Sequence, residues 1–200
     1  INLYGATKLT SDKLFISANN YKGWNDIKFS VVRYGNVMGS RGSVIPHFIN
    51  QKNDGVLDIT DERMTRFNIT LSEGVDFVIQ CLNKMWGGEI FVPKLPSYRI
   101  LDVASAIAPK AKINIINIRP GEKIHELMIS ESDAINTVEF EDYYVILPNS
   151  EYISWNSDDY FKEHKSKNIK RCPDGFSYSS EHNSDFLSIQ KIRDLIDKNL

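Results

Sequence analysis

Lys28-Phe29-Ser30-Val31-Val32-Arg33-Tyr34-Gly35-Asn36-Val37-Met38-Gly39-Ser40-Arg41-Gly42-Ser43 decides the fold. Its first seven residues are rich in β-branched and aromatic side chains and read as a buried strand. Three glycines then break the pattern, and Ser43 stands where it can cap a helix running from Val44 to about Lys52. Ahead of this stretch, Leu3 to about Asn20 reads as a helix with Leu3, Ala6, Leu9, Leu14 and Ala18 on its apolar face. Helix, strand, glycine loop and helix in succession is the rhythm of a doubly wound α/β sheet. A strand end followed by Asn, Gly, Ser and Arg presents backbone N–H groups beside a helix N-terminus. Phosphate oxygens or another polar ligand bind in such places; a tight turn with glycines chosen for positive φ is the structural alternative.

Beyond Val56 the elements shorten. Leu57-Asp58-Ile59 is strand-like, and Ser72 is placed to cap a helix reaching Met85, which Gly87-Gly88 ends before a strand at Glu89–Val92. Leu101 to Ala108 predicts a short helix stopped by Pro109, Lys112 to Ile118 a strand, and Glu122 to Met128 another short helix. Val138–Phe140 and Tyr143–Leu147 flank Glu141-Asp142, a two-residue hairpin candidate. Residues 149–185 carry no clear pattern, and Ser188 is placed to cap a closing helix over Ile189–Lys198.

With 42% hydrophobic and 25% charged residues the composition is that of an ordinary globular protein. A net charge of −2 gives no electrostatic reason to expect nucleic acid or an anionic membrane surface. Cys81 and Cys172 are far apart and in no metal-ligand spacing; Cys81 lies in an apolar helix and reads as a reduced core residue. No apolar run approaches the roughly 18 residues of a membrane span, so the expectation is a cytoplasmic protein. The chain opens on Ile1 and has no Met before Met38, which predicts a segment of a longer protein.

Four stretches carry chemistry. Tyr4 and Lys8 lie one helical turn apart on the same face. A phenol is a poor base at neutral pH, and a neighbouring ammonium favours its ionised form. Such a pair suits removal of an alcohol proton while hydride leaves the same carbon for a nicotinamide. Alone, the spacing is equally that of a solvated helix pair. Gly35–Ser43 is the second stretch. In Met64-Thr65-Arg66-Phe67-Asn68, a guanidinium could grip two phosphate oxygens, or be a plain surface charge. Arg119-Pro120-Gly121-Glu122-Lys123-Ile124-His125-Glu126 stops a strand at a Pro-Gly turn. Arg119 could reach a diphosphate and Glu122 accept ribose hydroxyls, or the stretch could be a charged helix cap. His125 has no spaced ligand partner, and no metal site is expected.

The order of these four segments resembles an extended short-chain dehydrogenase/reductase acting on nucleotide sugars. Asn2–Lys8, Arg33–Val44, Thr60–Phe67 and Arg119–Met128 are similar to the inverting UDP-N-acetylglucosamine 4,6-dehydratases. These belong to the polysaccharide-biosynthesis branch and open the pseudaminic acid pathway. Tyr143–Ile146 and Phe176–Ser180 extend the likeness into the tail.

The resemblance implies a Rossmann-type doubly wound parallel sheet with a smaller α/β substrate-binding domain. Residues 1–55 would end the dinucleotide domain, and residues 56–200 would be mainly substrate-binding, with some elements returning to the sheet. It implies Tyr4 as the base for the sugar 4-hydroxyl and Lys8 as holder of the nicotinamide ribose. Val37 and Arg41 would join them at an NADP cofactor, and Asn36, Arg66, Arg119 and Glu122 would hold a UDP-sugar. It further implies homo-oligomerisation. The glycine-rich dinucleotide loop and an Asp-Lys pair for water elimination are expected ahead of Ile1. A UDP-hexose 4-epimerase shares the Tyr/Lys pair and the phosphate clamps, and a non-catalytic sugar-nucleotide-binding module is the alternative from another class.

Overall fold

A computed structural model describes residues 2–148, 155–164 and 169–200. In chain order the elements are α1 (Leu3–Ala18), β1 (Val31–Val32), β2 (Asn36–Val37), α2 (Val44–Gln51), β3 (Val56–Ile59) and β4 (Thr65–Ile69). Then follow α3 (Leu71–Lys84), β5 (Ile90–Pro93), β6 (Ser97–Arg99), α4 (Ile100–Ile107), β7 (Lys112–Ile115) and β8 (Leu127–Ile129). The chain closes with α5 (Glu131–Ala134), β9 (Thr137–Glu139), β10 (Tyr143–Ile146), α6 (Ser157–Glu163), β11 (Lys170–Arg171), β12 (Tyr178–Ser179) and α7 (Ile189–Asn199). Of the stretch 149–185, for which the sequence offers no pattern, residues 149–154 and 165–168 lie outside the described residues.

Two compact units are interleaved in sequence. The first comprises Ile1–Tyr34, Val75–Lys94 and Met128–Tyr178, and the second Gly35–Gly74, Leu95–Leu127 and Ser179–Leu200. In the first unit the sheet order is β1-β5-β10-β9-β11. Only β1 and β5 are parallel, with Val31 opposite Ile90; β10 then adds antiparallel to β5, so the sheet is mixed. The Glu141-Asp142 hairpin forms as expected: Phe140 N–H donates to the Tyr143 carbonyl at 2.8 Å and the two rings stack at 4.7 Å. Phe91, Val138, Val145 and Tyr160 fill the core, together with Cys81. Burial pushes the Cys81 thiol up to about 12, so it stays protonated and inert.

In the second unit β4 is central, parallel to β2 and antiparallel to β6. The parallel pair β3 and β7 lies in the same unit, and Phe48, Leu57, Ile59 and Val103 anchor its core.

Three local expectations need correction. Residues 122–126 are not helical: an irregular segment leads directly into β8. Helix α3 is capped one residue pair earlier than Ser72. Glu73 N–H donates to Thr70 Oγ1 at 3.2 Å while Thr70 N–H donates to Glu73 at 2.8 Å, a reciprocal capping box. Ser43 precedes α2 as expected but makes no side-chain cap bond. Ser188 does cap α7, accepting from Lys191 N–H at 3.2 Å.

Candidate functional site

Tyr4 and Lys8 lie in the amino-terminal half of α1, which Asn2 starts by accepting the Gly5 N–H at 2.7 Å. The helical turn brings the Lys8 ammonium over the Tyr4 ring, 5.4 Å from its centroid. Tyr4 is 72% exposed. Among the described residues no carboxylate pairs with Lys8.

The remaining candidates belong to the second unit. Gly39 and Gly42 take φ of 72° and 77°, so their loop has the left-handed conformations that favour glycine. Gly35 has a different reason. A Cβ there would lie 2.5 Å from the Cβ of Phe67, so β4 could not pass this closely. This approach sets Asn36 opposite Asn68 and Val37 opposite Ile69. Paired residues share a face, and alternate residues of one strand do too, so Asn36, Asn68 and Arg66 stand on one side of the sheet and Val37 on the other. Asn68 is 3% exposed, and its Oδ1 has no hydrogen-bond partner among the described residues. Arg41 is exposed, one residue before Gly42.

Arg119-Pro120-Gly121-Glu122 is a type II turn. Pro occupies its second position and Gly121 its third with φ 78°, and Glu122 N–H donates to the Arg119 carbonyl at 3.0 Å. The Glu122 carboxylate folds back to accept the Arg119 N–H at 3.2 Å and the Thr60 hydroxyl at 3.4 Å. The Arg119 guanidinium is exposed, with no carboxylate partner among the described residues.

Arg66 is engaged quite differently. Its Nη1 donates to the carbonyls of Thr65 and Ile124, each at 2.7 Å, and its Nη2 to the carbonyl of Lys123 at 2.8 Å. The guanidinium therefore fastens the segment that follows the Arg119–Glu122 turn. Arg66 and that turn are thus brought together, through backbone carbonyls and not through a shared anion site.

Two residues that sequence reasoning did not single out complete this fastening. Thr65 N–H donates to the Ile124 carbonyl at 3.1 Å, and Phe67 N–H donates to a Glu126 carboxylate oxygen at 3.0 Å. Burial pushes the Glu126 carboxyl above the usual range, against the opposing pull of the Phe67 N–H, Arg66 and Lys123. Ser180 accepts the Glu126 N–H at 2.9 Å and bonds the Thr65 hydroxyl at 2.7 Å. His125 Nδ1 meets the Thr65 hydroxyl at 2.8 Å and Nε2 lies 3.5 Å from Glu181. His125 thus has a structural setting. Among the described residues no group of three or more His, Cys, Asp or Glu could hold a metal.

The family model described as "Polysaccharide biosynthesis protein" matches residues 1–148. The inverting UDP-N-acetylglucosamine 4,6-dehydratase of Campylobacter jejuni is 50% identical over 198 residues, 98% of this chain and 59% of that protein. A UDP-glucose 4-epimerase of Rickettsia canadensis is 35% identical over 201 residues, again 98% of this chain and 57% of its own length. Among solved structures, the X-ray structure of Pen from Bacillus thuringiensis superposes with a TM-score of 0.81 at 34% identity, covering 98% of this chain and 58% of that one. The likeness bears out a Rossmann-like α/β fold. The chain spans less than two thirds of the length of each of these proteins. With three quarters of its length matched by one family model and half its residues shared with a curated member, the chain belongs to the polysaccharide biosynthesis protein family.

Proposed function

We propose that these residues are the carboxyl-terminal portion of an inverting UDP-N-acetylglucosamine 4,6-dehydratase, a hydro-lyase of the pseudaminic acid pathway. The observation that carries this reading is 50% identity to the Campylobacter enzyme over nearly the whole chain, against 35% to the epimerase over the same length. A bound nicotinamide would supply hydride exchange, accepting at C4 and returning at C6. The residues present fit it: a phenol with an ammonium one turn away can both reach a ribose and handle a proton.

Tyr4 removes the proton from O4. Lys8 favours the phenolate and holds the ribose hydroxyls. Val37 and Arg41 contribute further contacts to the cofactor, which we take to be NADP. Arg119, whose guanidinium is exposed, binds the diphosphate or uridine end. Glu122 accepts nucleoside hydroxyls, and Asn36 lies near the diphosphate. Arg66 serves the same end of the substrate by holding the segment behind the Arg119–Glu122 turn. Loss of water from C6 calls on residues outside this chain.

Residues 1–55 are assigned to the end of the dinucleotide domain and 56–200 mainly to the substrate region, with β5 supplying the parallel neighbour of β1. A homo-oligomer acting in the cytoplasm belongs to the same reading, on the strength of the family likeness.

The test is incubation of the full-length protein, that is, these residues with whatever sequence precedes them, with UDP-N-acetylglucosamine. The expected product has lost one water and is inverted at C5 by NMR. A C4 epimer formed without loss of water would replace the reading with that of an epimerase. Binding without conversion would leave a non-catalytic module.

A further inference from the structure

Helix α1 carries both Tyr4 and Lys8. None of its residues is buried, and Leu3, Leu9, Leu14 and Phe15 are exposed. Residues 6–10 are exposed without interruption, and Ser11 and Asp12 are the next positions to be partly covered. Among the described residues, two polar ties hold the helix within its unit. At the carboxyl end, Asn19 exchanges bonds with the Phe29 backbone at 2.9 and 3.1 Å. One turn beyond Lys8, the Asp12 carboxylate receives Arg33 Nε at 2.7 Å.

Arg33 is itself held on its other side. Its Nη1 donates to Asp133 at 3.0 Å and to the Met128 carbonyl at 2.9 Å. The three side chains are only 17%, 16% and 19% exposed, so the fork is largely shielded from water. Burial alone would raise the Asp133 carboxyl, but the Arg33 bond and charge, with Ser130, hold it below the usual carboxylate range. A guanidinium bridging two carboxylates in its own plane fixes direction as well as distance. Asp12 continues the line of Tyr4 and Lys8 at four-residue spacing, so clamping Asp12 fixes the rotation of the face that carries them.

We infer that Arg33, acting through Asp12, is a positioning residue for the Tyr4–Lys8 pair. The inference rests on the proposed role of that pair. Arg33 does not touch the reacting groups; it sets where the phenol and ammonium stand. Displacements of about 1 Å at a reacting centre can cost roughly 10² in rate.

The test uses the full-length protein with Asp12→Ala, Arg33→Lys, Asp12→Asn and, as control, Tyr4→Phe. Single-turnover cofactor reduction in Asp12→Ala and Arg33→Lys should fall by about 10², with UDP affinity unchanged. Asp12→Asn keeps an acceptor for Arg33 Nε and should recover much of the loss. Amide exchange over residues 3–11 should quicken about ten-fold in Asp12→Ala, while β5 and β10 stay protected, which also shows that the variant is folded. Asp12→Ala reacting at the wild-type rate, with Tyr4→Phe impaired, would overturn the inference. Tyr4→Phe reacting normally would overturn the role of the pair instead, and unchanged α1 exchange in Asp12→Ala would then overturn the tether as well.

Discussion

Glu126 accepts the backbone N–H of Phe67 at 3.0 Å, on the edge of β4 where Thr65 N–H meets the Ile124 carbonyl at 3.1 Å. A side-chain oxygen thus takes the place of a strand carbonyl, and it does so as a partly buried carboxylate. Its raised pKa means that ionised Glu126 costs folding free energy at neutral pH. The sign follows: the contribution of Glu126 is most favourable below its unfolded pKa and is lost as pH rises through the folded value. Glu126→Gln keeps the acceptor and removes the charge, so it should match or exceed the wild type in stability at pH 7. That difference should vanish towards acid pH. Urea unfolding at several pH values measures it, and a Gln variant that is less stable at pH 7 would show that the charge itself is needed.

Arg66→Ala should weaken the second unit and loosen the segment behind Arg119. A charged hydrogen bond contributes about 1.5–3 kcal/mol, and three carbonyls lose their donor together. A loss of about 3 kcal/mol is expected by chemical denaturation, with UDP binding weakened alongside. Loss of UDP binding with unchanged stability would mean that Arg66 meets the ligand directly.

Gly35→Ala should cost more than Gly42→Ala. At Gly35 the new methyl meets the Phe67 Cβ, which cannot rotate away, and overpacking of this kind costs about 1–3 kcal/mol. Among the described residues nothing lies within 4 Å of a Cβ on Gly42, where the penalty is only the positive φ, about 1 kcal/mol. Thermal unfolding of both variants compares them; equal shifts would show that β4 yields freely.

Arg119→Ala should weaken UDP binding roughly ten- to a hundred-fold and leave NADP binding intact, since about 1.5–3 kcal/mol goes with one charge-assisted contact. Calorimetry with each ligand on the full-length protein reads this directly. Equal losses for both would assign Arg119 a structural part in the turn.

Tyr4→Phe keeps the ring under Lys8 but removes the proton acceptor for O4. General-base assistance is worth about 10²–10⁴ in rate, so single-turnover cofactor reduction should fall by that order while UDP affinity holds. Lys8→Met should lower turnover and weaken cofactor binding together. Wild-type reduction by Tyr4→Phe would make the pair a structural feature of the helix.

What the sequence determined by itself is what short-range forces decide. The turn of α1 that stacks Lys8 over Tyr4, the Glu141-Asp142 hairpin, the Pro120-Gly121 turn and the Ser188 cap each depend on neighbours within about four residues, so their patterns are visible in the chain. The tertiary structure decided the rest. Thr65–Ile69 is a strand because β2 and β6 flank it, and a strand has no stability without partners. The segment 122–126, whose spacing suits a helix, is held in an irregular path by bonds to β4 and Ser180 from residues more than fifty positions away. Gly35 is required by the approach of Phe67, not by its own dihedral angles. The same long-range bonding separates the arginines: Arg66 is spent on carbonyls and Arg33 on two carboxylates, while the Arg119 guanidinium stays exposed. No local pattern could sort them, because what each guanidinium meets is set by distant chain brought alongside.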